Sequence, residues 1–213
     1  MTTHAQVSGA TRRALLGSAA LFLLAACAQP RAAPPTADSP PVYPPSLAGR
    51  TVMVLPAQPG PAAAVPPGAE PVPGFDAALA AALTEQAPRV RWVPASAVER
   101  TAQRSPTLRI RPRELAVADF QRMRVLRIGE PLFSDLRSLG LLLDARYALL
   151  PYATHYVTGA AGADGRVEVG IALIDSSDGD VLWIGVVAGA PGAPGADHTV
   201  TTAAAAVAER MAR

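Results

Sequence analysis

Lysine is missing from the 213 residues, and all 19 basic side chains are arginine. Every cation in the chain is therefore a planar guanidinium; we read this first as compositional bias rather than chemistry. Cysteine occurs once, at Cys27, so an intramolecular disulfide is excluded. Histidine occurs three times, and only His155 and His198 lie beyond the amino-terminal region. No paired Cys/His spacing for a metal is present. Aromatic residues make up 5% of the chain, so the core must be built mainly from Leu, Val, Ile and Ala. No Gly-x-Ser-x-Gly, no P-loop and no His-Glu-x-x-His occurs, and the enzyme classes that depend on them lose their usual signature. A membrane span is also lacking. The apolar run Ala14–Ala26 would cover only about 20 Å as a helix, against a hydrocarbon core of about 30 Å.

What that run does carry is a sorting signal. Arg12 and Arg13 precede it and Leu24-Ala25-Ala26-Cys27 ends it, which is the charged, apolar and small-residue order of a secretory signal. The Leu-Ala-Ala-Cys ending resembles the lipobox of bacterial lipoproteins. The resemblance implies cleavage before Cys27, a diacylglyceryl thioether on its sulfur and an acylated new amino terminus. Residues 1–26 are thus expected to be a lipoprotein signal peptide. Ala28 follows the cysteine where lipoproteins kept at the inner membrane often carry Asp, so the resemblance favours the outer membrane. Thr11–Leu16 also resembles a twin-arginine signal, and the choice between that route and the general one stays open.

Residues 27–49 are expected to be a tether. Pro34-Pro35, Pro40-Pro41 and Pro44-Pro45 punctuate a stretch poor in core-forming residues. In an extended polyproline form it would reach up to about 70 Å. Residues 50–213 are expected to form one domain. Without residues 1–26 the 17 remaining arginines balance the 17 acids, but unevenly along the chain. Residues 89–127 hold ten arginines against Glu99, Glu114 and Asp119, whereas residues 128–213 hold five arginines against ten acids. Such asymmetry marks either a binding face or two halves that neutralise each other.

Within the domain, Arg50–Pro56 reads as a buried strand between Gly49 and Pro56. Residues 57–74 form a long Pro/Gly/Ala loop, and loops of that length commonly carry function. Asp76 is expected to cap a helix bearing Leu79 and Leu83 on one face and closed by Pro88. Val90–Pro94 is a second strand. Ser96 with Glu99 has the capping-box pattern for a helix through Arg104, and Pro106–Pro112 breaks the chain. Arg113–Arg127 is expected to be helical by content, although its apolar period is poor. Leu132, Leu136, Leu139 and Leu143 make one helical stripe, with Pro131 in the first turn. Tyr147–Val157 is a strand in which Pro151 demands an edge position or a bulge. Val167–Asp175 and Asp180–Ala188 make an antiparallel hairpin about Ser176–Gly179, and Val200, Ala204, Val207 and Met211 stripe a last helix. The fold class expected is α/β (α+β): a single mixed β-sheet flanked by helices, with a late antiparallel hairpin.

The segments Leu139-Gly140, Ala145-Arg146-Tyr147-Ala148-Leu149-Leu150 and Ile174-Asp175 followed by Gly179-Asp180-Val181-Leu182-Trp183 resemble those of a group of envelope α/β domains. The group includes the CsgG-like lipoproteins, the penicillin-binding-protein activator LpoB and the N-terminal domain of TolB. The resemblance spans roughly residues 50–105 and 132–213, and implies fold, compartment and a role as an accessory envelope lipoprotein. The chain lacks segments for the membrane-spanning hairpins of CsgG-like pores and lacks room for the propeller of TolB. His155 reads as a surface or structural residue, because it has no identifiable catalytic partner. Asp175–Asp180 fails the calcium-loop order, since Asp180 and Val186 stand where Gly and Glu are needed.

The expected function is that of a non-enzymatic, lipid-anchored, periplasm-facing binding module in an envelope assembly or secretion machine. It is held to the membrane by lipid on Cys27, with an envelope protein as partner, no cofactor and no metal. Arg109, Arg111, Arg113, Arg122, Arg124 and Arg127 are the candidate partner-binding residues, because arginine suits bidentate recognition of carboxylates. Nucleic acid is not expected, since Phe120 is the only stacking aromatic nearby. The alternative is a small-ligand-binding protein or enzyme with its site under loop 57–74.

Overall fold

A computed structural model of the chain describes residues 43–60, 72–121, 125–159 and 163–213. The signal peptide, Cys27 and most of the tether lie outside the described residues. Five strands form one mixed sheet in the order β2-β1-β3-β4-β5: β1 Thr51–Val54, β2 Arg91–Val93, β3 Tyr147–Val157, β4 Arg166–Asp175 and β5 Val181–Ala188. β1 is parallel to both β2 and β3, whereas β3-β4 and β4-β5 are antiparallel. The four helices are α1 Phe75–Gln86, α2 Ala95–Arg104, α3 Leu132–Leu143 and α4 Asp197–Ala212. This is the expected mixed sheet with helices and a late hairpin.

The two faces of the sheet are covered differently. On the first, Phe75, Leu79 and Leu83 of α1 and Val200, Ala204, Val207 and Met211 of α4 pack with Val52, Val54, Leu149, Val167, Val169, Ile171 and Leu173. Residues spaced three and four apart on a helix meet alternate residues of a strand, so each element contributes its one apolar side. On the second face, Val98 and Ala102 of α2 and Leu132, Leu136 and Leu139 of α3 pack with Met53, Leu55, Ala148, Leu150 and Ile174. Leu115, Val117, Phe120 and Ile128 complete that layer from irregular chain.

Several local expectations are corrected. The described residues of Arg113–Arg127 form no α-helix; Ala118–Gln121 makes a 3-10 turn, and Arg127 bridges Asp180 as an added antiparallel rung. The spacing of Leu115, Val117, Phe120 and Ile128 fits no single helical face, and burial of all four is achieved by draping the chain. Asp76 does not cap α1. The cap position is Gly74 at φ 78°, and the Asp76 carboxylate instead accepts the Ala57 N–H at 2.8 Å. Ser96 does not cap α2 either; that helix starts at Ala95 behind Pro94, without a side-chain cap. Pro131 stands just before α3 rather than in its first turn. Residues 43–49 fall in the expected tether, and some of them pack on the sheet domain. Leu47 is buried in the first core, and Tyr43 lies beneath Arg210 and Arg213 of the carboxyl end, its hydroxyl accepting from Arg213 at 3.0 Å.

Pro151 lies in a central strand, not at an edge, and the strand is bulged between Pro151 and Ala153. A bulge inserts an unpaired residue and changes which side the following residues face. Leu149 is in the first core and Leu150 in the second; Tyr152 and Ala153 are both in the second, and Tyr156 is in the first. The parity of β3 therefore flips, which puts Thr154 on the α1 side. The Leu139-Gly140 pair also gains a reason. A Cβ on Gly140 would meet the Ser176 hydroxyl at 2.6 Å and the Ala145 carbonyl at 2.7 Å, so only glycine lets α3 sit against the β4-β5 turn.

Candidate functional site: a groove at the end of β1

Past Val54 the chain continues beside β3 without being a regular strand. The Leu55 N–H donates to the Leu149 carbonyl, the Gln58 N–H to the Pro151 carbonyl, and the Thr154 N–H to the Gln58 carbonyl, each at 2.9 Å. The Gln58 side chain is buried at 2% exposure, and its amide acts as a clip. Nε2 donates to the Pro56 and Pro112 carbonyls at 2.7 and 2.8 Å, and Oε1 accepts the Leu115 N–H at 3.1 Å. One side chain thus ties the end of β1 to the draped segment that follows α2. Sequence reading placed Gln58 in a loop without a role. A lone amide in a Pro/Gly/Ala stretch gives no periodic signal, and only its polarity beside Pro56 hinted at a buried hydrogen-bonding task.

Between this clip and the start of α1 opens a groove of about 420 Å³, lined by Ala57, Gln58, Pro59, Val72, Gly74, Asp76, Arg113 and Thr154 among others. It lies outside the carboxyl end of a parallel strand, where α/β sheets commonly take ligands. Arg113 spans its rim, pairing with Asp76 at 3.0 Å and with Glu99. Burial alone would lower the pKa of this guanidinium; the Glu99 hydrogen bond and the charges of Asp76 and Glu99 outweigh it and hold the pKa above the ordinary value. In the groove the Thr154 hydroxyl is buried with no hydrogen-bond partner among the described residues. The groove coincides with the described part of the loop site in the alternative reading; residues 61–71 lie outside the described residues.

The six candidate arginines are not one uniform patch. Arg113 is engaged at the groove, Arg111 pairs with Glu114 at 3.0 Å, and Arg127 pairs with Asp180 at 2.8 Å. Arg109 is exposed in the left-handed region at φ 53° and makes no ion pair among the described residues. Arg122 and Arg124 lie outside the described residues. Phe120 is buried and stacked on Tyr152, with centroids 4.8 Å apart, and is not available to stack on a base. His155 is buried rather than on the surface. Its Nδ1 has no partner among the described residues, and burial lowers its pKa against the opposing pull of Glu168.

The Asp175–Asp180 run is a turn built on its own side chains. Asp175 Oδ1 accepts the Ser177 N–H at 3.0 Å and the Ser177 hydroxyl at 2.6 Å, and its Oδ2 accepts from Arg146 at 2.7 Å. Gly179 takes φ 82° to close the hairpin. Burial pushes the Asp175 carboxyl upward, but the Ser177 and Arg146 contacts overcome it and leave the pKa below the usual range.

The class these features define is a single α+β domain with a five-stranded mixed sheet and a polar groove at the end of its first strand. No protein-family model matches the sequence, and no curated protein matches it. Among solved structures, the chain is similar to the PelC dodecamer from Paraburkholderia phytofirmans, with 20% identity and a TM-score of 0.39 over 80% of this chain and 93% of that one. It is also similar to lipoprotein GNA1162 from Neisseria meningitidis, with 19% identity and a TM-score of 0.38 over 67% and 81% of the two chains. The LpoB C-terminal domain from Escherichia coli matches with 16% identity and a TM-score of 0.40 over 68% and 84%. At these identities and scores the likeness assigns neither an activity nor a partner to this chain.

Proposed function

We propose that the protein is a lipid-anchored accessory module of the bacterial envelope, facing the periplasm and acting by binding rather than catalysis. The observation that carries this reading is the Leu24-Ala25-Ala26-Cys27 ending behind Arg12-Arg13 and an apolar run, with the single cysteine of the chain at the lipobox position. Lipid on Cys27 and a Pro-rich tether would concentrate the domain near the membrane, where weak contacts suffice through effective concentration. The outer membrane is the favoured leaflet, from Ala28.

The partner is proposed to be an envelope protein with an acidic surface, received by the arginine-rich stretch around Arg109 and Arg111, together with Arg122 and Arg124. Arg109 supports this because its charge is exposed and uncommitted among the described residues, whereas Arg113 and Arg127 already hold internal acids. Intact-mass measurement of protein purified from the envelope is the first test, with residues 1–26 expected to be absent and acyl mass expected on Cys27. A mature chain that starts elsewhere and carries no lipid overturns the anchoring. The second test is a salt-sensitive pull-down from detergent-solubilised envelope with the double variant Arg109→Glu, Arg111→Glu. Loss of the partner with an unchanged melting temperature is expected, and unchanged recovery overturns the proposed face.

A further inference from the structure

The groove at the end of β1 has two features that the fold does not use. The first is the start of α1. A helix leaves its first N–H groups without intrahelical partners, and a side chain at the cap usually takes one of them. Here the cap is Gly74, and no side-chain cap is made. Asp76, the acid of the first turn, is turned toward Ala57 and Arg113 instead. The first-turn N–H groups of α1 therefore receive no side-chain cap, although the turn at Pro73–Gly74 brings the helix start back toward the Val72 carbonyl. The second feature is Thr154. Its residue is 4% exposed and lines the groove, and its hydroxyl has no hydrogen-bond partner among the described residues. A buried hydroxyl without a partner is costly, and the bulge at Pro151–Ala153 is what turned it toward α1.

We propose that this groove binds the carboxylate of a small organic acid or of a chain end. The carboxylate oxygens would accept from the N–H groups at the start of α1 that no side chain caps, where the helix dipole favours negative charge. One oxygen would also accept from the Thr154 hydroxyl. Arg113 pairs through Nε and Nη2 with Glu99 and Asp76 and places a guanidinium with five donors at the rim. Val72, Pro59 and Pro73 supply an apolar wall for the hydrocarbon part of the ligand. Asp76 and Glu99 together exceed the charge of Arg113, so the carboxylate would be held by hydrogen bonds against a net negative lining, and a second negative charge on the ligand is disfavoured. The site stands whether or not Cys27 is lipidated.

The test is a titration of the isotopically labelled full chain with butyrate, followed by amide NMR, with butyramide and inorganic phosphate as matched probes. Butyrate is expected to move the Phe75, Asp76 and Ala77 signals in a saturable way, butyramide to leave them in place, and phosphate to bind more weakly than butyrate. Thr154→Val is expected to weaken butyrate by roughly tenfold, the loss of one hydrogen bond to a charged acceptor, while Thr154→Ser retains it. The Val variant should melt no lower than the parent, because the hydroxyl it removes has no partner in the fold. Equal shifts with butyrate and butyramide, no shift with either, tighter binding of phosphate, or a Thr154→Val variant that binds as well as the parent each overturns the proposal.

Discussion

The two faces of the sheet solve the same burial problem by different means. The first is covered by α1 and α4, two helices whose apolar stripes pack against each other and against alternate residues of β1, β3 and β4. The second is covered by α2 and α3 and finished by Leu115, Val117, Phe120 and Ile128 from chain with no regular repeat. Regular helices satisfy their own backbone groups, so the first face needs few polar clips. The irregular layer must find partners for each buried N–H and C=O, and it uses side chains to do so. Gln58 does this for the Pro112 carbonyl and the Leu115 N–H. A face built from periodic elements is robust to loss of polar side chains, and a draped face is not.

Truncating a fully buried leucine tests the shared part of that comparison and carries the largest effect. Leu83→Ala on the first face and Leu136→Ala on the second should each cost about 2–5 kcal/mol in chemical denaturation. A much smaller cost for Leu136 would mean that the second face is loosely packed. Gln58→Ala separates the faces. It should cost about 1–3 kcal/mol by leaving the Leu115 N–H and the Pro112 carbonyl buried without partners. Hydrogen exchange should rise across residues 112–120 while α1 and α4 keep their protection; uniform loss of protection would erase the distinction.

Gly140→Ala probes a place where helix and turn touch through a missing side chain, and overpacking there should cost about 1–3 kcal/mol. The acid limb of stability comes next. The Asp175 carboxyl is held below its unfolded value by Ser177 and Arg146 despite burial, so its contribution is present above the unfolded pKa and is lost as pH falls through the folded one. The His155 pKa is lowered by burial, so the unfolded chain takes up its proton first, and stability falls as pH drops below the ordinary histidine value of about 6.5. Melting temperature against pH should therefore decline in two stages. Asp175→Asn should remove the lower stage and His155→Phe the upper; a profile with both stages intact in either variant contradicts its assignment. The smallest effect belongs to the exposed Arg111–Glu114 pair, where Arg111→Ala should change stability by less than about 0.5 kcal/mol.

The same contrast governs what could be read ahead of the structure. Leu79 and Leu83, the leucine stripe of α3, the alternation of Val167, Val169, Ile171 and Leu173, and the stripe of α4 all repeat at helical or strand period, and all but the half-buried Leu143 are buried in those elements. Local sequence determined these elements and the hairpin turn at Gly179, because each buries one side and the period announces which. It also determined the lipobox pattern at Cys27, which is a linear signal and needs no fold to be recognised. Tertiary structure alone decided the rest. Composition suggested a helix over 113–127, but burying Leu115, Val117, Phe120 and Ile128 together against β3 outweighed the local preference. Asp76 and Ser96 sit at positions where capping is locally favourable, yet Asp76 found the Ala57 N–H and Arg113, and α2 began behind Pro94. The groove, the clip of Gln58 and the turning of Thr154 depend on a bulge and on contacts between residues more than fifty positions apart in the chain. No local period encodes such contacts, because their energy comes from which distant groups the sheet brings together.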